Sequence, residues 1–279
     1  MPDKRIEAVI DGPFRHGVIS NMPKREYFAA CGINPSSLKQ PSPKHVKWTY
    51  ENNGEATDAM RLGTAVHTLC WDPHRFGEDI AVYDGRRQGK AWEDFQDEHE
   101  GKTIIKEEQF ERATAIATAL TSDPQVKRLA SHGIAETAVF TELNGMQHRG
   151  LIDWINTDLS ILCDLKVVNG IEDRMFGFAV VRYGWDVSMA CYRNWFQHEA
   201  NKEIKAVKFI AVESKPPFDV AVIPVDAAVL ESGWSKADKA SQAVRRSIES
   251  GVWPGIAGGE EYPLLYPEYA MAEEEVQYT

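Results

Sequence analysis

Hydrophobic positions along the chain follow two different periods, and their order predicts an α/β protein. Apolar residues recur at helical spacing over residues 56–71, 106–121, 171–182, 186–200 and 227–250. Before these helices, proline and small polar residues at helix-start positions predict shorter helices within residues 23–50. The helical segments therefore surround a central region with a different period.

That central region predicts strands. Apolar runs of strand length occupy residues 134–143, 146–155 and 160–168, and Asn144-Gly145 between the first two is a strong hairpin signal. Asn156-Thr157-Asp158 forms the second turn, so the three strands are expected to make a meander. Further strands are expected at 79–84, 206–213 and 219–224. The fold class is a mixed central β-sheet flanked by helices.

The chain divides into three regions. We expect an N-terminal helical extension packed on the core over residues 1–55, with residues 1–20 a loosely held arm, and the core itself over residues 56–251. Residues 252–279 carry six acidic residues and no Lys or Arg, so they hold −6 of the net charge of −11. This acidic tail is expected to be dispensable. The alternative is that its apolar residues pack on the body: Trp253, Tyr262, Leu264, Leu265 and Tyr266.

Composition excludes several classes of protein. No apolar run approaches the roughly 20 residues of a membrane helix, and none follows the N-terminus as a secretory signal would. The four cysteines are widely separated, which indicates reduced thiols in a cytoplasmic protein and argues against an iron–sulfur cluster. The acidic net charge does not indicate broad DNA affinity, but it permits a locally basic channel.

The predicted hairpin gathers the candidate chemistry. Side chains two apart on a strand share a face, so Asp164 and Lys166 point the same way, and the turn is expected to bring Asp153 near them. Two neighbouring carboxylates repel each other and lose hydration, and a divalent cation with oxygen ligands, Mg²⁺ or Mn²⁺, relieves both costs. A buried Asp164–Lys166 salt bridge without metal is the alternative, and the hairpin alone leaves both open.

The order of short motifs resembles a known family. Gly150-x-x-Asp153 followed by Asp164-x-Lys166 resembles the core signature of PD-(D/E)XK nucleases. Residues 60–73, 91–95, 101–103 and 136–140 are similar, in order, to motifs of the exonuclease VIII (RecE-type) family. Residues 183–192 resemble its later helix motif, and the resemblance covers roughly residues 20–225.

The resemblance implies roles for individual residues. Asp153 and Asp164 bind one or two Mg²⁺ ions, with Mn²⁺ as a substitute, and the Leu165 carbonyl and His67 complete the site. Lys166 positions or activates the attacking water. The helix motif Gln-x-x-x-Tyr keeps Tyr192 here and has Ser188 in place of its Gln. With Arg149, these two residues are expected to contact DNA or to support the metal ligands.

The resemblance also implies a function. We expect a magnesium-dependent exonuclease that degrades double-stranded DNA ends 5′ to 3′ in phage-type homologous recombination. Its expected partners are a single-strand annealing protein and further copies of itself in a ring trimer or tetramer, in the cytoplasm of a bacterial or phage-infected cell. A structure-specific endonuclease using the same site is one alternative. A non-catalytic assembly module is the other.

Three smaller expectations concern residues near this site. Gly63, four residues before His67, is expected to let its helix approach the sheet closely. Glu136 is expected to be solvated at a strand start, the alternative being that it faces the metal. Residues 86–90 form a basic loop, for which a solvated turn and a phosphate contact have equal standing.

Overall fold

A six-stranded sheet lies at the centre of the molecule. The computed structural model describes residue 6, residues 14–52 and 56–261, and residue 263. The large sheet has the order β1-β4-β5-β6-β7-β8, with only β6 and β7 parallel; a small parallel sheet pairs β2 with β3. The strands are β1 (Gly17–Ile19), β2 (Ile80–Val82), β3 (Thr103–Ile105), β4 (Gly133–Leu143), β5 (Met146–Asn156), β6 (Ile161–Val168), β7 (Ala206–Glu213) and β8 (Val220–Pro224).

Helices cover both faces of the large sheet. They are α1 (Lys24–Ala29), α2 (Pro35–Leu38), α3 (Pro43–Glu51), α4 (Asp58–Trp71), α5 (Phe76–Asp79), α6 (Lys90–Glu98), α7 (Glu107–Ser122), α8 (Pro124–Ala130), α9 (Asp173–Tyr183), α10 (Trp185–Ala200) and α11 (Ala227–Ser250). Within the described ranges, none of these helices is long and apolar enough to cross a membrane.

The core consists of two apolar layers separated by the sheet. Helices α2, α3 and α9–α11 pack on one face, where Leu162 of β6 contributes. Helices α4, α7 and α8 pack on the other face, where Cys163 and Leu165 contribute. Successive residues of β6 thus alternate between the layers, as its sequence predicts. The predicted mixed α/β class is confirmed.

The predicted meander forms as expected. Asn144 and Gly145 both have positive φ, 54° and 71°, as a two-residue hairpin turn requires. The β4–β5 ladder begins directly beside this turn, at Leu143 and Met146. The structure therefore fixes the register of the two strands at the turn, which determines where the polar residues further along them lie.

Residues 17–19 of the N-terminal extension belong to the sheet rather than to a loose arm. Strand β1 pairs with β4 at the sheet edge, so the expectation for residues 17–19 is wrong. Ile33 donates its N–H to the Gln147 carbonyl at 2.9 Å and accepts from the Arg149 N–H at 3.0 Å. A three-residue edge strand is stabilised by its partner, and its own sequence carries too short a pattern to reveal it. Residues 1–5 and 7–13 lie outside the described part.

The beginning of the acidic tail also packs on the body. Trp253 packs against the apolar layer that contains α9–α11, and the ammonium of Lys47 lies 5.4 Å from the centroid of the Trp253 ring. The Lys44 N–H donates to the Pro254 carbonyl at 3.1 Å. For Trp253, the structure therefore shows the packing alternative rather than a free tail. Tyr262 and residues 264–279 lie outside the described residues.

Two glycines give a paired prediction about helix packing. A Cβ at Gly233 of α11 would lie 2.3 Å from the Asp186 carbonyl oxygen, whereas one at Gly177 of α9 would meet no atom within 4 Å. We expect Gly233→Ala to lower the free energy of unfolding by about 1–3 kcal/mol, because backbone atoms must move. Gly177→Ala should raise it by up to about 1 kcal/mol through helix propensity. Urea unfolding of both variants measures this, and equal effects would contradict the packing described.

A second prediction concerns acid stability. Burial lowers the pKa of His148 to about 4, although its hydrogen bond to the Met146 carbonyl opposes part of this decrease. Since the unfolded chain takes up this proton near pH 6.5, stability should be lost as pH falls from about 6.5 to 4, by about 3 kcal/mol. Unfolding of His148→Gln should depend less on pH in that window. His132→Gln, at an exposed position, is the control and should retain the wild-type slope.

Candidate active site

Strands β5 and β6 separate where the predicted site begins. Their ladder pairs Trp154 with Cys163, and the next pair in register would be Asp153 with Asp164. Instead, the Leu165 N–H donates to the Asp153 carboxylate Oδ2 at 2.9 Å. A side chain thus replaces a main-chain bond, and the two carboxylates lie on adjacent, diverging strands. The expected approach of Asp153 to Asp164 is confirmed.

The backbone beside Asp153 is irregular. Ile152 and Ile155 belong to the same apolar layer although they are three residues apart, which strict alternation forbids. Across the sheet, Glu136 of β4 has φ of +44°, a conformation that strains a non-glycine residue. Its carboxylate binds Lys24 at 2.8 Å and Arg75 at 3.3 Å. The expectation of a solvated Glu136 is wrong, because two cations from other elements hold it.

Asp164 and Lys166 form a buried ion pair on one face of β6. Asp164 is 4% exposed, and the Lys166 ammonium lies 5.4 Å from the ring centroid of Trp185. Burial lowers the pKa of Lys166, but the attraction of Asp164 and Asp153 outweighs it, so the pKa is raised. Lys166 is therefore a cation at neutral pH and acts as a hydrogen-bond donor rather than as a proton acceptor.

The pKa of Asp153 is also raised, which for a carboxylate disfavours the charged form. Burial raises its pKa, and the neighbouring Asp164 raises it further. His67, Lys166 and the Leu165 N–H lower it, without reversing the direction. The charged form of Asp153 is therefore disfavoured, and a bound cation would stabilise its carboxylate.

His67 reaches the site from helix α4. Its Nε2 lies 3.0 Å from the Leu165 carbonyl oxygen, and its Nδ1 lies 3.5 Å from Asp153 Oδ2. A carbonyl only accepts hydrogen bonds, so Nε2 carries the proton and donates. His67 thus holds two of the groups predicted as metal ligands. Gly63 does not explain the position of His67, because a Cβ at Gly63 would meet nothing within 4 Å. The expectation that Gly63 lets the helix approach the sheet closely is therefore wrong. Space lies open one helical turn before His67.

The donor set suits a hard divalent cation in its chemistry. Two carboxylates and a main-chain carbonyl supply oxygen, which Mg²⁺ prefers. In the described part of the chain, no three His, Cys, Asp or Glu residues converge as a ready-made metal cluster. Lys166 and His67 occupy the positions beside these oxygens, so a bound cation would take over contacts that these two residues make. The oxygen ligands are therefore of the kind that Mg²⁺ binds, and Lys166 and His67 would have to give up some of their contacts for the ion to bind.

Helix α10 covers the site from the other side of the sheet. Tyr192 packs its ring on Gly150, where a Cβ would lie 3.0 Å from two ring carbons. Burial and the nearby Asp164 raise the pKa of Tyr192 well above its ordinary value, so its hydroxyl stays protonated. Ser188 is buried one helical turn earlier.

Arg149 is placed elsewhere. It is 6% exposed and stacks on Tyr27, with 4.9 Å between its guanidinium carbon and the ring centroid. Its guanidinium also donates to the Tyr27 carbonyl. The structure therefore puts Arg149 under the N-terminal extension and not on a surface that DNA can reach, while its neighbours on β5 reach the site.

Two residues near the site were not among the predicted site residues, although Trp185 lies in the segment 183–192 that resembles the family's helix motif. The stem of Lys39 packs against Gly184, directly before Trp185. Burial lowers the pKa of Lys39, and Lys166 lowers it further, whereas Asp164 and Asp186 oppose this. The extension thus brings a second ammonium towards Asp164. Only the fold places Lys39 and Trp185 here, because both come from other segments of the chain.

Comparison with known proteins identifies the family. Residues 37–264 match the family described as a PDDEXK-like domain of unknown function (DUF3799), and the chain belongs to this family. The predicted membership of the PD-(D/E)XK superfamily is confirmed, and the narrower RecE-type assignment stays a prediction. No curated protein matches the chain.

One solved structure supports the fold. The crystal structure of a candidate exonuclease from Eubacterium rectale is similar with a TM-score of 0.59, covering 79% of this chain and 82% of that one at 16% identity. A second structure, SSO0001, covers 74% of this chain and 84% of its own at 12% identity. Its TM-score of 0.28 is too low to support an argument.

Proposed function

We propose that the protein is a magnesium-dependent nuclease that hydrolyses phosphodiester bonds of DNA from duplex ends. The observation that carries this proposal is the buried Asp164–Lys166 pair beside Asp153, at the point where β5 and β6 separate, in a chain of the PDDEXK-like family. The description of the Eubacterium rectale protein as a candidate exonuclease supports the same class of reaction.

Each residue of the candidate active site has a separate proposed role in hydrolysis. Asp153, Asp164 and the Leu165 carbonyl would hold the cation, which when bound stabilises charge on the phosphate and lowers the pKa of water. His67 orients two of these groups through its contacts with the Leu165 carbonyl and Asp153. The cationic Lys166 donates a hydrogen bond to the attacking water or to a phosphate oxygen. The protonated Tyr192 hydroxyl is a further donor beside Asp164.

The finer features of the proposal come from the sequence resemblance. These are 5′ to 3′ polarity, a role in phage-type recombination, a ring-shaped oligomer and a strand-annealing partner. The alternative is a structure-specific endonuclease with the same site, which the residues described here would serve equally well. Linear duplex and covalently closed circular duplex, offered in parallel, distinguish them, because an exonuclease degrades only the linear molecule.

Replacing Asp164 tests the metal site. We expect Asp164→Asn to lower the rate of magnesium-dependent DNA cleavage by at least about a hundredfold, because a charged ligand that helps supply several kcal/mol of transition-state stabilisation is lost. Cleavage of end-labelled duplex over a range of Mg²⁺ concentrations measures it. Asp186→Asn is the control for loss of a buried carboxylate, since Asp186 pairs with the half-exposed Lys236 at 2.6 Å, and it should keep more activity than Asp164→Asn. Wild-type activity of Asp164→Asn at ordinary Mg²⁺ would refute the assignment.

Replacing Lys166 should separate binding from chemistry. The predicted oxygen ligands remain in Lys166→Met, so DNA binding supported by Ca²⁺ should persist while turnover with Mg²⁺ falls by orders of magnitude. Fluorescence anisotropy and single-turnover cleavage give the two readings. Loss of binding and cleavage together, with the fold intact by circular dichroism, would instead show that Lys166 mainly shapes the site.

A further inference from the structure

A basic cleft lies beside the amino-terminal end of α4, outside the site described above. It is open and has a volume of about 670 Å³. The basic loop contributes two arginines to it, α4 contributes a third, and a lysine precedes α7. Its charged lining residues are Arg61, Arg86, Arg87 and Lys106, together with Asp58 and Asp84. The cleft therefore has more cations than acids in a chain whose net charge is −11.

Arg87 shows that these cations are held together against repulsion. Its guanidinium donates to the Ile104 carbonyl at 3.0 Å and lies 5.6 Å from the ring centroid of Trp92. Its Nε is buried and has no hydrogen-bond partner among the described residues. Burial lowers the pKa of Arg87, and the neighbouring Arg61 lowers it further. An anion bound in the cleft would relieve this repulsion.

The acids in the cleft compensate only in part. Asp58 lies 3.1 Å from Arg61 and 3.8 Å from Arg87, but its side chain is 73% exposed. Exposed ion pairs of this kind contribute little to stability, because water screens them. Arg86 and Lys106 are exposed at the rim, and their cationic groups remain accessible to a ligand. Planar guanidinium groups suit phosphate oxygens in particular.

Helix α4 connects the cleft to the candidate active site. Arg61 and His67 are six residues apart on this helix, which corresponds to about 9 Å along its axis at 1.5 Å per residue. Arg61 of the cleft and His67 therefore lie on the same helix, less than two turns of it apart.

We propose that this cleft binds backbone phosphates of the DNA strand being cut, on the side of the site where α4 begins. The inference rests on the proposed nuclease function and deepens it. Contacts to phosphates carry no sequence information, so the cleft positions the strand without selecting bases. For the basic loop, this proposal takes the phosphate contact rather than the solvated turn.

The test measures how DNA affinity depends on salt. Binding of a labelled duplex to the full chain is followed in Ca²⁺ buffer from 50 to 300 mM salt, for wild type and for Arg86→Gln/Lys106→Gln. Both positions are exposed, so the variant should fold normally. Each lost phosphate contact should reduce the slope of log K against log salt by about 0.9, so the double variant should lose about 2 and bind more weakly.

Two matched variants make the result specific. Lys90→Gln/Arg112→Gln removes the same charge from the same loop and from α7, but from side chains paired with Asp94 and Glu108 outside the cleft. Its slope should stay within about 0.5 of the wild-type value. Arg86→Lys/Lys106→Arg keeps the charge and should restore the wild-type slope. A double Gln variant whose slope equals that of the control would overturn the proposal.

The failure of the cleft and the failure of the proposed function give different results. If wild type binds DNA but does not cleave it with Mg²⁺, the nuclease proposal fails, while the salt slopes still decide the cleft. If wild type cleaves DNA and the slopes of the two Gln variants agree, only the cleft proposal fails. If wild type neither binds duplex in Ca²⁺ buffer nor cleaves it with Mg²⁺, both are overturned.

Discussion

The placement of a charged pair inside the sheet is the constraint on which the site depends. Asp164 is buried on β6 and the Lys166 side chain is 20% exposed, and such a pair is stable only where further polar contacts compensate the lost hydration. Asp153 supplies part of that compensation for Lys166, and the Trp185 ring supplies a face for its ammonium. The surrounding elements therefore have to hold these groups in place around the pair.

Close packing on both faces of the sheet brings the remaining groups in. On one face, α4 presents His67 to the Leu165 carbonyl and Asp153. On the other, α10 lies against the sheet through the contact of Tyr192 with Gly150, and against α11 through the contact of Asp186 with Gly233. The position of α10 also fixes Trp185, so helix packing and active-site geometry are set by the same contacts.

The N-terminal extension contributes charged groups to this arrangement. Its Lys24 shares Glu136 and Asp79 with Arg75, so four charges from three segments hold the strained residue next to the irregular part of β5. Its Lys39 extends towards Asp164 from the side of α10. A separately folding appendage would not supply such contacts, because each requires a fixed distance from the sheet.

The sequence by itself determined the elements and the central chemistry. Three local properties carried this information, and short-range sterics fix all of them: the apolar periodicity, the Asn144-Gly145 turn, and the shared strand face of Asp164 and Lys166. Tertiary structure decided what depends on distant segments. It paired β1 with the sheet edge, buried Arg149 under Tyr27, bound Glu136 to Lys24 and Arg75, and left Gly63 facing open space. These outcomes depend on which side chains meet across the fold, and a linear pattern contains no distance between residues that are far apart in the chain.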